Sequence, residues 1–282
     1  LVNNKWGFIN RSGEIVIDPL YNAVKDFDNG VAIVAKDKVW RYIDASGKDI
    51  TNFPPSDKIY DFKEGRAIFR NGTDVGFFNT NGEIIAKAEY EIIKPFKNGY
   101  AKARKHGRWG YLDKDGNVAI SFDYDDLGSF DGGVTWGRKG TAFGVIFNNN
   151  FSILEDANRI WDFSPDGLAY ARIEKNIGFI NKEREWVIKP QFIKARAFVN
   201  GLAPVNMNGF WGYINIKGDW VVQPIYHDAE VFSKDGIAPV KINQWGFIDA
   251  SGKMIISPNY DITVGSIQIF NFKEKGFING LA

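Results

Sequence analysis

The feature that most constrains this chain is a phrase it restates. The stretch WGFIN at Trp6–Asn10 returns as WGYLD at Trp109–Asp113, WGYIN at Trp211–Asn215 and WGFID at Trp245–Asp249. Anchored on its first residue, the phrase falls at Trp6, Trp40, Val75, Trp109, Phe143, Ile177, Trp211 and Trp245, with steps of 34 or 35 residues. A fixed period in this range is the signature of a repeat architecture. The repeats run near residues 6–39, 40–74, 75–108, 109–142, 143–176, 177–210, 211–244 and 245–275, and no linker or low-complexity tract interrupts them. A single domain over residues 1–282 is the expectation.

One repeat reads as four strands. WGFIN is an extended run and RSG a turn. EIVI is a second run, stopped at Asp18-Pro19 because proline donates no ladder hydrogen bond. YNAVKDF is a third, DNG a tight turn, and VAIVAKD a fourth. No stretch carries helical periodicity, so the class is all-β with sequential antiparallel strands. A glycine recurs in the first turn. Asn150 replaces it in the fifth repeat, and Arg184 in the sixth, where a turn of different shape is expected. Another glycine follows the anchor, with Arg41 in its place in the second repeat. Its expected role is to make room for a neighbouring sheet or ring.

In VAIVA both alternating faces are apolar, whereas a sheet wetted on one side alternates apolar with polar. Each small sheet is therefore expected to lie between two others. The anchors Trp6, Trp40, Trp109, Trp211 and Trp245 are expected in the repeat core. Trp186 and Trp220, which align with Ile15 of the second strand, are expected there too. A β-propeller is the favoured arrangement and an open superhelical stack the alternative. Both chain ends read as repeat strands and are expected to pair with each other if a ring closes.

The pattern WGFIN-x-x-G-x-x-V-I-x-P-x-Y followed by F-x-x-G-x-A-x-V resembles the WG-repeat, or KWG-repeat, family of bacterial proteins over essentially the whole chain. Repeats two, three and five depart most from it. The resemblance implies a β-rich repeat domain, often joined to other domains or export signals, and hence an extracytoplasmic or cell-envelope location. It implies binding or scaffolding, and supplies no catalytic residues to carry over.

Composition narrows the chemistry. The formal net charge is +1, which argues against a nucleic-acid binder held by bulk electrostatics. There is no cysteine, so thiolate catalysis, disulfides and cysteine metal sites are out. No apolar run is long enough to span a bilayer, so membrane insertion is not expected. His106 and His227 read as solvent-facing turn residues, and Asp113–Asn117 as a hairpin turn instead of a calcium loop. No metal or cofactor is expected.

Ser129, Asp131, Gly133, Thr135 and Trp136 fit an Asp-box, S-x-D-x-G-x-T-W. Asp-boxes resemble structural hairpin turns known from sialidase-type propellers, so a propeller glycosidase is the enzymatic alternative. The stabilised-turn reading is preferred. Two residues before the recurring Phe of the third strand stand Lys25, Tyr60, Lys94, Gly128, Trp161, Arg196 and Glu230. A position that accepts such residues is expected to be exposed. Tyr60 and Trp161, with Trp136, are therefore the candidate binding residues. The expected function is a non-enzymatic binding or scaffold module for a protein or a surface glycan. A purely structural spacer is the remaining alternative.

Overall fold

A computed structural model describes residues 1–130 and 133–260. It is all-β, with no helix among the described residues. The chain divides into two compact halves, Leu1–Asp126 and Leu127–Ala282.

Each full sheet has four antiparallel strands in sequence order, but it does not coincide with one repeat. It takes the third and fourth strands of one repeat and the first and second of the next. In the first half, Ala23–Val24, Val31–Lys36, Val39–Asp44 and Asp49–Ile50 form such a sheet. In the second half, Lys194–Ala195, Leu202–Met207, Phe210–Asn215 and Trp220–Tyr226 form another. The third strand, which the sequence suggests is as long as its neighbours, shrinks to two residues in these sheets. The repeat on the sequence is thus out of phase with the sheet in space, so each sheet is tied to its neighbours covalently at both edges.

The two-faced apolar strand behaves as its pattern predicts. Val31–Ala35 are all buried. Ala32 and Val34 pack in one cluster with Ile17 and Tyr21 of the preceding sheet. Val31 packs in another with Ala67, Phe69 and Phe78 of the following one and with Phe62 just before it. Ala203 and Val205 repeat the arrangement, sitting with Phe179, Ile188 and Phe192. No sheet of this size can hide both faces alone, so stacking neighbours is what removes the apolar area from water.

The glycine after the anchor makes room as expected, but for the partner strand of its own sheet, and at Gly110 and Gly144 also for a ring on that strand, Phe122 and Phe151. Trp6 pairs with Tyr21 and Phe8 with Ile17, so Asp18–Leu20 bulge out opposite Gly7. A Cβ on Gly7 would lie 2.7 Å from the backbone N of Pro19. The crowding comes from the bulged partner strand of the same sheet, not from a neighbouring sheet. Where Arg41 replaces this glycine, that strand stops at Ile50, pairing only Tyr42↔Ile50 and Ile43↔Asp49. Pro54 and Pro55 then stand where the bulged strand would otherwise continue, without N–H groups to offer. The arrangement leaves an irregular segment over residues 51–61.

The first turn is built by an Asn or Asp that ends the anchor strand. Asp113 Oδ1 accepts the N–H groups of Asp115 and Asn117 at 2.9 and 2.8 Å, which fixes the DKDGN stretch as a hairpin turn. Asn10, Asp44, Asn215 and Asp249 do the same. The sixth repeat keeps this shape despite Arg184, which takes φ of 70° and donates its N–H to Asn181 O. The expected difference in shape is therefore corrected: the Asn181 cap holds Arg184 in the left-handed region. In the fifth repeat Asn148 and Asn149, not Asn150, carry positive φ, while Asn150 begins a strand paired to Phe147.

The anchors fall into two groups. Trp211 and Trp245 are buried, and Trp109 is half-buried. Trp6 and Trp40 are 44% and 45% exposed, so they are not core residues. Among the described residues Trp6 has a partner strand on one side only. Trp40 has lost the bulged strand that covers other anchors, and faces Ala35 where Trp109 faces Arg104. Trp186 and Trp220 are also half-buried, packed at the margins of clusters, because the Ile15 position they share is wet: Ile15 is 57% exposed. Residues 261–275, the end of the last repeat, lie outside the described residues, as does the expected pairing of the chain ends.

Candidate functional site

The three aromatic candidates do not converge. Tyr60 lies in the first half, half-buried, its backbone clamped by Tyr42, whose hydroxyl donates to Tyr60 O at 2.6 Å and accepts from Tyr60 N at 3.1 Å. Burial pushes the Tyr42 phenol up to about 12, against the hydrogen bond to Tyr60 and with a smaller contribution from Asp61. A cleft of about 700 Å³ opens beside it, lined by Trp40, Arg41, Tyr42, Phe53, Pro54 and Lys58. Tyr60 itself stays outside the lining. Its ring carries Lys58 Nζ at 5.5 Å.

Trp136 is buried at 6% exposure, which removes it from any binding surface. Its indole Nε1 donates to Asp162 Oδ1 at 2.8 Å. Ser129 donates to the same carboxylate through its N–H at 2.9 Å and its hydroxyl at 2.8 Å. The residues of the Asp-box pattern therefore serve an acid of the next repeat. Asp131 of that pattern lies outside the described residues. A Cβ on Gly128 would meet Asp162 Oδ1 at 2.5 Å, so this glycine is required by the close approach.

The position two before the recurring Phe is not uniformly exposed: Lys25 and Lys94 are, Tyr60, Trp161 and Arg196 are half-buried, and Gly128 and Glu230 are buried. Glu230 there is 7% exposed. Lys25 Nζ lies 2.8 Å from Asp61 of the next repeat. Arg196 reaches Asp228 at 3.3 Å and Glu230 at 3.4 Å, and also donates to Ala229 O. At Lys25 and Arg196 the charge is paired across the junction between repeats.

Trp161, at the same position, is different. It is half-buried and lies against Tyr170 with ring centroids 4.6 Å apart and planes 15° from parallel. The guanidinium carbons of Arg159 and Arg172 stand 5.5 and 5.9 Å from its ring centre. Arg172 is steadied by Asn158, whose Oδ1 accepts its Nε–H at 2.7 Å. Burial pushes the Tyr170 phenol up to about 12; Asp162 adds to this, and Arg196 and Arg159 oppose it. Trp161 and Tyr170 form one wall of a cleft of about 730 Å³, within the size range of small-ligand sites. Trp211 also lines it, with Arg196 stacked 4.7 Å above its ring.

The sequence singles out Trp161 but not Tyr170, Arg172, Arg196 and Trp211, which share its cleft. Arg196 stands at the same repeat position as Trp161, so the repeat itself was the available signal. His227 lines the same cleft, exposed, with its ring 5.7 Å from Phe210. His106 is exposed in a turn with φ of 50°. Among the described residues no cluster of His, Cys, Asp and Glu is arranged to hold a metal, and no helix is long and apolar enough to cross a membrane.

Comparison with known proteins places this architecture. The model of the WG containing repeat matches residues 6–40, 76–109, 109–140, 177–209, 211–244 and 245–279. The chain belongs to the WG-repeat family. The matches pass over the second and fifth repeats, where Arg41 and the Asn148-Asn149 turn alter the sheet. No curated protein matches the chain. Among solved structures, a eukaryotic initiation factor is similar at 12% identity, over 79% of this chain and 72% of that one, with a TM-score of 0.51. Hsv2 of Kluyveromyces lactis is similar at 10% identity, over 67% and 73%, with a TM-score of 0.38. The likeness to the initiation factor concerns the fold alone. An all-β repeat of small antiparallel sheets is consistent with a binding or scaffold module.

Proposed function

We propose that this chain is a non-catalytic binding module whose recognition surface is the Trp161 cleft, and that it takes a glycan. One observation carries the reading. A half-buried indole in the cleft lining is already fixed by a parallel Tyr170 and flanked by Arg159 and Arg172, so the ring costs little further ordering when a ligand ring packs against it. Sugar rings present flat C–H faces to such a platform. The buried aromatics of the repeat core do not offer one.

The glycosidase reading would need two carboxylates facing each other across a bound glycosidic bond. Glu174 and Asp228 line the cleft. Asp228 Oδ1 is already engaged, by Arg196 at 3.3 Å and by the Ala229 N–H at 2.9 Å. That engagement supports binding over cleavage.

The test is a glycan array with the wild-type chain and Trp161→Ala. Selective binding that the substitution abolishes, with no sugar released and an unchanged melting temperature, is the expected result. Binding unaffected by Trp161→Ala overturns the assignment of this cleft, and release of reducing sugar overturns the non-catalytic reading. Absence of any glycan binding returns the chain to the spacer alternative.

A further inference from the structure

The charge around Trp161 goes beyond what a platform for neutral sugar needs. The cleft lining carries four cations, Arg172, Lys175, Lys194 and Arg196, against two carboxylates, Glu174 and Asp228. Arg196 is consumed by Asp228 and Glu230. Lys175 and Lys194 are both exposed, and among the described residues no carboxylate lies within ion-pair distance of either. The cations over Trp109 are paired instead. Lys102, over Trp109, pairs with Asp126 at 3.0 Å, and Arg104 beside it pairs with Glu91 at 3.3 Å. In the Trp40 cleft, Lys25 is held by Asp61 and Arg41 by Asp49, which leaves Lys58 against Asp57 of the same lining. The Trp161 cleft keeps its excess positive charge.

Resting on the glycan reading above, we propose that the ligand is an acidic saccharide, with a carboxylated pyranose stacked on Trp161 and its carboxylate turned toward Arg172, Lys175 and Lys194. A guanidinium beside the platform offers the planar donor pair that matches a carboxylate. The two lysines supply longer-range attraction that salt screens. An acidic peptide shares the charge but not the flat saturated ring, so stacking separates the two.

The experiment is titration calorimetry of the whole chain with tetragalacturonic acid, its fully methyl-esterified form and tetraglutamate, at low and at high salt. The acid form should bind at least about tenfold more tightly than the ester, and lose that advantage at high salt. Trp161→Ala should abolish binding of both saccharides. Lys175→Gln with Lys194→Gln should weaken the acid form at least about fivefold and leave the ester unchanged. Equal affinity for acid and ester, still dependent on Trp161, would overturn the acidic-ligand inference and leave the glycan reading standing. Tetraglutamate binding as tightly as the acidic saccharide would overturn it in favour of a peptide. No binding of either saccharide would overturn the acidic-ligand inference, while the glycan reading stands or falls with the array.

Discussion

The carboxylate of Asp28 accepts the backbone N–H of Gly65, 37 positions further along the chain, at 2.8 Å, and that of Glu64 at 3.1 Å. Glu64 passes the contact on. Its carboxylate accepts the N–H groups of Asn98 and Gly99 at 2.7 and 2.8 Å. The same turn in three consecutive repeats is thereby stitched by two acids. Asp166 makes the equivalent bond to Gly201 at 3.2 Å. Burial pushes Asp28 and Glu64 up. The hydrogen bonds outweigh it, from Asn29, Gly65 and Glu64 for Asp28 and from Gly99, Lys114 and Asn98 for Glu64, and nearby lysines help. Both acids are held below their usual 3.8 and 4.5.

A pH dependence follows from that direction. A carboxylate with a lowered folded pKa stabilises the fold above its unfolded value, and the benefit disappears as pH falls through the folded one. Melting temperature should therefore drop on acidification from just above pH 4.5 downward. In Asp28→Asn with Glu64→Gln that drop should be visibly smaller, and at pH 7 the double variant should melt a few degrees lower, at about 1 kcal/mol per lost charged contact. An unchanged acid profile in the variant would show that these turns do not stitch the repeats.

Gly212 tests the bulge. A Cβ there would lie 2.8 Å from the carbonyl carbon of Gln223 and 2.8 Å from the backbone N of Pro224. Both are backbone atoms and cannot swing away. Gly212→Ala should destabilise by about 1–3 kcal/mol, as overpacking does. Its φ is not in the left-handed region, so backbone strain is not the cause. Thermal unfolding measures it. Wild-type stability in this variant would mean that the bulged strand can withdraw, as it has beside Arg41.

How far the sequence could be read follows from which forces are local. The apolar faces of Val31–Ala35 announced a sheet covered on both sides, because strand alternation is a property of the segment itself. The glycine after the anchor was visible, but the strand it makes room for was not. The bulge of Asp18–Leu20 against Gly7 depends on the register between two strands, which no single strand contains. The same limit hid the Trp161 cleft. Tyr170 and Arg172 come from one hairpin strand, Arg196 from the next sheet and Trp211 from its anchor strand. The misplacement of Trp136 had another source. An indole reads as a platform or a peg according to what its N–H meets, and Asp162 belongs to the next repeat.

That peg is separable from hydrophobic burial. Trp136→Phe keeps a ring in the slot and removes the donor to Asp162. The carboxylate retains Ser129, so the cost should be about 1–2 kcal/mol instead of that of an emptied core site. Ser129→Ala in the same background should add to it, because both groups serve one carboxylate. If calorimetric melting of Trp136→Phe matches wild type, the indole N–H contributes nothing to the junction.

The sharpest contrast is between two anchors that share one repeat position. Trp211 is 6% exposed, flanked by strands on both sides, with Arg196 stacked over it. Trp40 is 45% exposed, without the bulged strand and facing Ala35. Truncating a buried Trp removes both transfer energy and packing, so Trp211→Ala should cost about 3–5 kcal/mol. Trp40 has already surrendered much of its area to water, so Trp40→Ala should cost less than about 1.5 kcal/mol. Denaturant unfolding of the two variants side by side gives the difference directly. Equal losses would mean that Trp40 is covered in solution, and that the sheet interrupted by Arg41 and Pro54-Pro55 is completed there after all.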